Sequence, residues 1–129
     1  MSAEFHFDVD PSRDLVRIRM SGFFTPEDIE AFLAARDDAH ARLTCAPNQH
    51  LTINDLRGMK IQSQEAVDKF GEVLSERRHR SKRLAFVIGK TLARTQLSRI
   101  ASSRDAQCFD DLPSAEAWLF GRDHETAAA

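Results

Sequence analysis

A short unbroken apolar run, Leu84–Gly89, constrains the fold of this chain more than any other sequence feature. A strand with one face in water alternates apolar and polar side chains, whereas a strand covered on both faces does not have to alternate. The run therefore predicts a strand buried on both faces, as is common in parallel sheets. Such a strand requires layers packed on either side of it.

The first part of the chain predicts a β-hairpin. Residues 5–9 alternate apolar and polar side chains, and so do residues 15–20. Alternation with a period of two is typical of a half-buried strand. The segment Asp10–Asp14 between the two runs holds one proline, one serine and two aspartates, which favour a turn. We expect these two strands to pair antiparallel.

Helices and strands then alternate. Thr25-Pro26-Glu27-Asp28 predicts a helix start, because threonine caps free N–H groups and proline suits the first helical position. This helix should reach about residue 43, and a third strand should span 50–56 and turn at Arg57-Gly58. Ser63 is the expected cap of a second helix.

The same reasoning applies to the last third of the chain. Thr91 should cap a third helix, and Cys108-Phe109 should form a brief last strand. A terminal helix should open at Pro113 and end at Gly121. Its expected apolar side consists of Ala117, Trp118 and Phe120.

The order ββαβαβαβα predicts an α/β fold with a mixed, mainly parallel sheet that begins with an antiparallel hairpin. With 129 residues the chain fits one domain, which we place at residues 1–121. Residues 122–129 are expected to form a disordered tail.

Composition excludes several classes of function. The 18 Lys and Arg against 20 Asp and Glu give a net charge of -2, which does not favour nucleic-acid binding. No apolar run is long enough for stable membrane insertion. The start of the chain lacks the order of a secretory signal, and Cys45 and Cys108 lie far apart. We therefore expect a cytoplasmic protein with reduced thiols.

The sequence offers little support for metal or cofactor chemistry. Its five histidines lack ligand spacing, and neither cysteine belongs to a Cys-x-x-Cys motif, so we expect no metal site and no cofactor. The segment Gly89-Lys90-Thr91 resembles the end of a P-loop, but Leu84 stands where a further glycine is needed. This segment is either a small-anion site at a helix start or an ordinary turn.

Several short motifs, taken in order, resemble the STAS superfamily. These are Gly22-Phe23 before an acidic helix, Asp55-Leu56-Arg57-Gly58 at a strand end, the strand Leu84–Val87, and Phe109 followed by residues 115–119, Ala-Glu-Ala-Trp-Leu. More narrowly, they resemble its SpoIIAA-like branch, which is grouped with STAS/Sec14-type small proteins. The resemblance covers residues 4–121 and implies a bacterial regulatory protein.

The resemblance also implies a site. In the anti-sigma-factor antagonists of this family, a serine at the helix start after the third strand binds an anti-sigma kinase partner and is phosphorylated by it. The family's Asp-Ser-Ser aligns with Ser63, Gln64 and Glu65 here, so the serines are out of register. Ser63 is then either a displaced phosphoacceptor or simply a helix cap. We expect the phosphoserine switch to be absent.

The sequence therefore predicts a non-catalytic interaction module, because no set of nucleophile, base and orienting group is visible. The expected partner is an anti-sigma-like or sensor protein, and an exposed hairpin edge would allow a homodimer. The predicted partner surface consists of Asp55, Arg57, Gly58, Ser63, Gln64 and Glu65. The alternative is a small-molecule or lipid carrier of STAS/Sec14 type that binds an apolar or anionic ligand.

Overall fold

The computed structural model describes residues 2–76, 80–89, 94–95, 97 and 105–128. Within these residues one five-stranded sheet has the order β1-β2-β3-β4-β5. The strands are β1 (Glu4–Asp10), β2 (Leu15–Gly22), β3 (Leu51–Met59), β4 (Arg83–Val87) and β5 (Ala106–Phe109). β1 and β2 are antiparallel, and every other neighbouring pair is parallel. The predicted mixed α/β fold is confirmed.

Within the described part of the chain, three helices pack against this sheet, namely α1 (Pro26–Ala41), α2 (Gln64–Ser75) and α3 (Leu112–Ala128). Helix α1 begins as predicted: Thr25 Oγ1 accepts the Asp28 N–H at 3.2 Å, and the Asp28 carboxylate accepts the Thr25 N–H at 2.9 Å. This reciprocal capping satisfies two donors that a helix start leaves unpaired. The predicted third helix from Thr91 falls largely outside the described residues.

The sheet has two covered faces. The α1/α2 face carries Phe5, Phe7, Ile18, Met20, Leu56, Leu84 and Phe86. The α3 face carries Leu15, Leu51, Ile53, Ala85 and Val87, which pack against Ala115 and Leu119 of α3. All five residues of β4 are buried, as the unbroken apolar run predicts. This strand is the part of the sheet that both layers cover.

Phenylalanine rings fill the space beneath α1 and α2. Five of them form a connected cluster with ring centroids 5.1–6.5 Å apart: Phe5, Phe7, Phe24, Phe32 and Phe70. Most of these pairs meet edge to face, a geometry that the ring quadrupole favours. The rings join the hairpin to both helices, so packing in this layer holds the two halves of the chain together.

Two local predictions are wrong. The chain does not turn at Arg57-Gly58, because β3 continues to Met59 and Gly58 pairs with Ser21 of β2. A register shift between Arg19 and Ser21 gives β3 one extra residue there. A Cβ on Gly58 would lie 2.8 Å from the Ser21 Cβ, so glycine is required by this close approach.

The terminal helix also differs from its prediction. Its buried positions are Ala115 and Leu119, while Ala117 is exposed and Trp118 is half-buried. Spacing by four residues points Ala115 and Leu119 at the sheet, and the bulkier Trp118 covers its edge beside Phe109. The helix continues past Gly121 to Ala128. The single domain of residues 1–121 and the tail of 122–129 stay predictions.

Candidate functional site

The candidate site lies where β3 ends and α2 begins. Since β2, β3, β4 and β5 are parallel, their carboxyl ends share one edge of the sheet, and open α/β sheets commonly bind ligands at that edge. Asp55 and Arg57 lie at this end of β3, where Leu56 and Arg57 together oppose the single residue Met20 of β2. A strand with one extra residue contains a β-bulge. β-Bulges frequently occur beside functional sites because they change the direction in which side chains point.

Asp55 and Arg57 form a bidentate ion pair. Arg57 Nε lies 2.9 Å from Asp55 Oδ1, and Arg57 Nη2 lies 2.8 Å from Asp55 Oδ2. The Arg57 backbone N–H donates to the same carboxylate at 3.1 Å. The hydrogen bonds from Arg57 lower the pKa of Asp55 although burial opposes the shift. Asp55 is therefore a fixed carboxylate at neutral pH and is poorly suited to giving or taking protons.

Asp111 joins this edge from the short connection between β5 and α3. Its carboxylate accepts the Ser114 N–H at 2.8 Å at the start of α3. The pKa of Asp111 is lowered first by the Ser114 backbone and hydroxyl hydrogen bonds and further by the charge of Arg57. Asp111 is absent from the residues predicted from the sequence, although its position before Leu112-Pro113 is a helix-cap signal. The charge of Arg57 thus acts on carboxylates at two strand ends, with direct contact to Asp55.

The other predicted partner residues lie on the first turn of α2. Ser63 is exposed, and its Oγ accepts the Ala66 N–H at 3.1 Å, which confirms its predicted role as helix cap. Gln64 donates to Asp68 Oδ1 at 2.8 Å, and Glu65 points into solvent. Ser63 and Gln64 therefore bond within α2, whereas Asp55 and Arg57 bond to each other.

Two loops at this edge are held together by Gln62. Its Nε2 donates to the Gly22 carbonyl at 2.9 Å, and its Oε1 accepts the Phe24 N–H at 2.9 Å. Lys60 adds a backbone hydrogen bond to the same Gly22 carbonyl. Gly22 has φ +84°, and a Cβ there would lie 2.2 Å from the Ser2 carbonyl oxygen, so only glycine fits. The backbone of both loops is thereby fixed.

These fixed loops expose two large apolar side chains. Ile61 is 94% exposed and Phe23 is 40% exposed, and they are the large exposed hydrophobic residues of the described chain. The sequence does not predict that Phe23 is exposed, since it adjoins the buried Phe24. Ile61 does carry a local signal of exposure, because it is a lone apolar residue between Lys60 and Gln62 outside any periodic run.

The described residues offer no group of three or more His, Cys, Asp or Glu side chains placed to hold a metal ion. Gly89 is exposed after β4. Lys90 and Thr91, the rest of the predicted anion site, lie outside the described residues. Among the described helices, none has the length and hydrophobicity needed to cross a membrane.

The sheet is mixed, begins with a hairpin and is covered by helices on both faces, and a helix starts directly after β3. This arrangement defines a STAS-type domain. The sequence model of the SpoIIAA-like family matches residues 15–120. The chain therefore belongs to the SpoIIAA-like family. No curated protein matches the sequence.

Two solved structures share this fold. One is an uncharacterised DUF3478-family protein with a SpoIIAA-like fold from Shewanella loihica, which has 17% identity and a TM-score of 0.73 and covers 92% of this chain and 96% of its own. The other is an anti-sigma factor antagonist from Mycobacterium paratuberculosis, which has 12% identity and a TM-score of 0.60 over 90% and 92% of the two chains. At these identities the likeness establishes the fold alone.

Proposed function

We propose that this protein is a non-catalytic regulatory module that binds a protein partner through the carboxyl edge of its sheet. The observation that carries the proposal is the exposure of Ile61 and Phe23 on loops fixed by Gln62. A large apolar side chain in water favours a contact that removes it from water. Since the loop backbone is already ordered, binding costs little further conformational entropy.

The polar groups around these side chains fit a protein interface. The Asp55–Arg57 pair and the first turn of α2, with Gln64 and Glu65, supply charge and hydrogen-bonding groups at the same edge of the sheet as Ile61 and Phe23. Apolar anchors with a polar rim are typical of protein interfaces. We therefore propose the six predicted residues as the rim and Ile61 and Phe23 as the anchors.

The proposal does not include a phosphoserine switch. Gln64 and Glu65 stand where the family's serines align, and neither side chain carries a hydroxyl. Ser63 does carry one, and its oxygen caps α2. Glu65 also places a permanent negative charge on the first helical turn, where a carboxylate interacts favourably with the helix dipole.

The lipid-carrier alternative needs an apolar space between the helices and the sheet. The five-ring phenylalanine cluster occupies that layer, which supports the interaction module over this alternative. A homodimer through β1 and a cytoplasmic location stay predictions. β1 is an edge strand of the described sheet, and Glu4, His6 and Asp8 point into solvent along it.

The test is affinity purification of the tagged protein from its native cells with quantitative mass spectrometry. The wild type is compared with Ile61→Asp and with Thr44→Asp, which adds the same charge at an exposed loop position. We expect a partner that is retained by the wild type and by Thr44→Asp and is lost with Ile61→Asp. With that partner purified, calorimetry should show Ile61→Asp binding at least about tenfold more weakly.

Two results would count against the proposal. Partner binding that Ile61→Asp and Phe23→Asp leave unchanged would remove the carboxyl edge from the interface. Phosphate found on Ser63 in the protein purified with its partner would restore the switch. Unmodified Ser63 in that same complex is the expected result.

A further inference from the structure

A cavity of about 220 Å³ lies at the amino ends of the parallel strands, at the sheet edge opposite the proposed partner surface. Three strand starts border it, and backbone hydrogen bonds join them. The Leu51 N–H donates to the Asp14 carbonyl at 2.7 Å, and the Lys82 N–H donates to the His50 carbonyl at 2.7 Å. The strand starts thus hold the cavity rim in a defined position.

Three cationic side chains line this cavity: Arg13, Lys82 and Arg83. Arg13 and Lys82 are exposed at the rim, while Arg83 is 8% exposed. Arg83 Nη1 donates to the Leu119 carbonyl at 2.8 Å, and its Nε lies 3.8 Å from Asp105. These contacts hold the buried guanidinium in place, and the two rim cations provide most of the charge available to a ligand.

Asp14 is the anionic residue of the lining, against three cationic ones. Burial and then the Asp14 carboxylate raise the pKa of the nearby Cys45 thiol. Asp14 itself has φ 53°, so its backbone is in the left-handed region. The lining therefore keeps an excess of positive charge toward its opening.

The remaining lining residues are Gln49, Leu51, Leu119 and Phe120. Leu119 is completely buried and Phe120 is half-buried, so the Phe120 ring supplies the apolar surface that a ligand can reach. The Arg13 guanidinium carbon lies 4.2 Å from the centre of the Phe120 ring, a cation–π contact that orients Arg13 over the cavity wall. The cavity thus combines a cationic rim with one accessible aromatic ring, a combination that suits a small anion with a short apolar body.

We propose that this cavity binds a small organic anion, with one phosphate or carboxylate group at Arg13 and Lys82 and a short apolar body against the Phe120 ring. Arginine and lysine bind such oxyanions through charge-assisted hydrogen bonds. Drug-sized ligands occupy roughly 300–1,000 Å³, so a cavity of 220 Å³ suits a smaller molecule. This second site goes beyond the proposed function, since it lies at the other edge of the sheet.

The experiment is a titration of the purified, isotope-labelled protein with phenyl phosphate, followed by NMR chemical shifts at low salt. We expect saturable shifts at the amides of Asp14, Leu51 and Lys82. Lys82→Gln and Arg13→Gln should each weaken binding about five- to tenfold, because each removes one charge-assisted contact. Lys60→Gln removes the same charge from an exposed position at the carboxyl edge and should leave the affinity unchanged.

Titrations with two further probes distinguish a small organic anion from inorganic phosphate and from a lipid surface. Inorganic phosphate should bind more weakly than phenyl phosphate, because it lacks the apolar body. Binding of phosphatidic acid vesicles without binding of phenyl phosphate would overturn the proposal in favour of a lipid surface. Equal losses with Lys60→Gln and Lys82→Gln, or no saturable shifts at the strand starts, would overturn it as well. The circular dichroism spectrum of each variant verifies that it is folded.

Discussion

The two faces of the sheet are packed with different side chains over different areas. Beneath α1 and α2, five phenylalanine rings reach across to the hairpin and leave its apolar side covered. Beneath α3 the fully buried side chains are aliphatic and stop at β2, while the aromatic Phe109 and Trp118 are only partly buried. Over the hairpin this face carries His6, Asp8, Arg17 and Arg19. We infer that the α1/α2 face supplies most of the stability, while the α3 face leaves polar surface available for recognition.

The largest loss of stability is expected from a substitution on the α1/α2 face. Phe24 is completely buried within the ring cluster, so Phe24→Ala should lower the free energy of unfolding by about 3–5 kcal/mol. Its neighbour Phe23 is exposed, and Phe23→Ala should change the free energy of unfolding by less than about 0.5 kcal/mol. Urea denaturation of both variants measures the difference. Similar losses for the two would mean that the ring cluster does not dominate stability.

The second largest loss of stability is expected from breaking the Asp55–Arg57 ion pair. Asp55→Asn keeps the shape of the side chain but removes the charge that accepts from Arg57, and should cost about 1–3 kcal/mol at neutral pH. Hydrogen bonds from Arg57 lower the pKa of Asp55 in the folded protein. The stabilisation is therefore present above the unfolded pKa of about 4 and is lost as pH falls through the lower folded value.

Denaturation at a series of pH values measures this dependence. The difference between wild type and Asp55→Asn should be constant from about pH 6 to 8 and should shrink below about pH 4. Asp8→Asn is the matched control, because Asp8 is exposed and is 3.9 Å from its Arg17 partner. A difference that grows on acidification would show that Asp55 is not the stabilised carboxylate.

How far the sequence predicts this molecule depends on whether the signal is local. Alternation in the hairpin, Thr25 and Ser63 as caps, and the unbroken run of β4 act within a few residues, and the structure confirms all of them. Arg57-Gly58 looks like a turn by the same rules. In the structure Gly58 instead continues β3 and lies against Ser21 of β2. A contact between two strands is not contained in any local sequence pattern.

The candidate site shows the same limit. Asp55 and Arg57 could be chosen from their place at a strand end, but the bidentate geometry of their ion pair is not visible in the sequence. Asp111 reaches the same edge because β5 follows β4 in the sheet, and Ile61 adjoins Gln62, which bonds to a loop about 40 residues earlier in the chain. Residues brought together by topology are therefore the ones that sequence reasoning missed.

A smaller effect is expected from the cap that starts α2. Ser63→Ala removes the oxygen that accepts the Ala66 N–H and should lower the free energy of unfolding by about 1 kcal/mol. Ser63→Asp should retain most of that free energy, because aspartate caps helices about as well as serine. Denaturation measures both, and hydrogen exchange at Ala66 locates the change. An equal loss in both variants would show that the cap does not support α2.

The smallest loss of stability is expected from the ion pair between Arg17 of β2 and Glu116 of α3. Arg17 Nη2 lies 2.6 Å from Glu116 Oε1, but each side chain is more than one-third exposed, so solvent screens the pair. Glu116→Gln should therefore lower the free energy of unfolding by only about 0.2–1 kcal/mol, and the loss should shrink as salt is raised to about 1 M. Glu72→Gln, at an exposed position of α2, controls for the loss of a surface charge. A loss as large as that of Phe24→Ala would mean that the α3 face contributes as much stability as the ring cluster, and the contrast between the two faces would not hold.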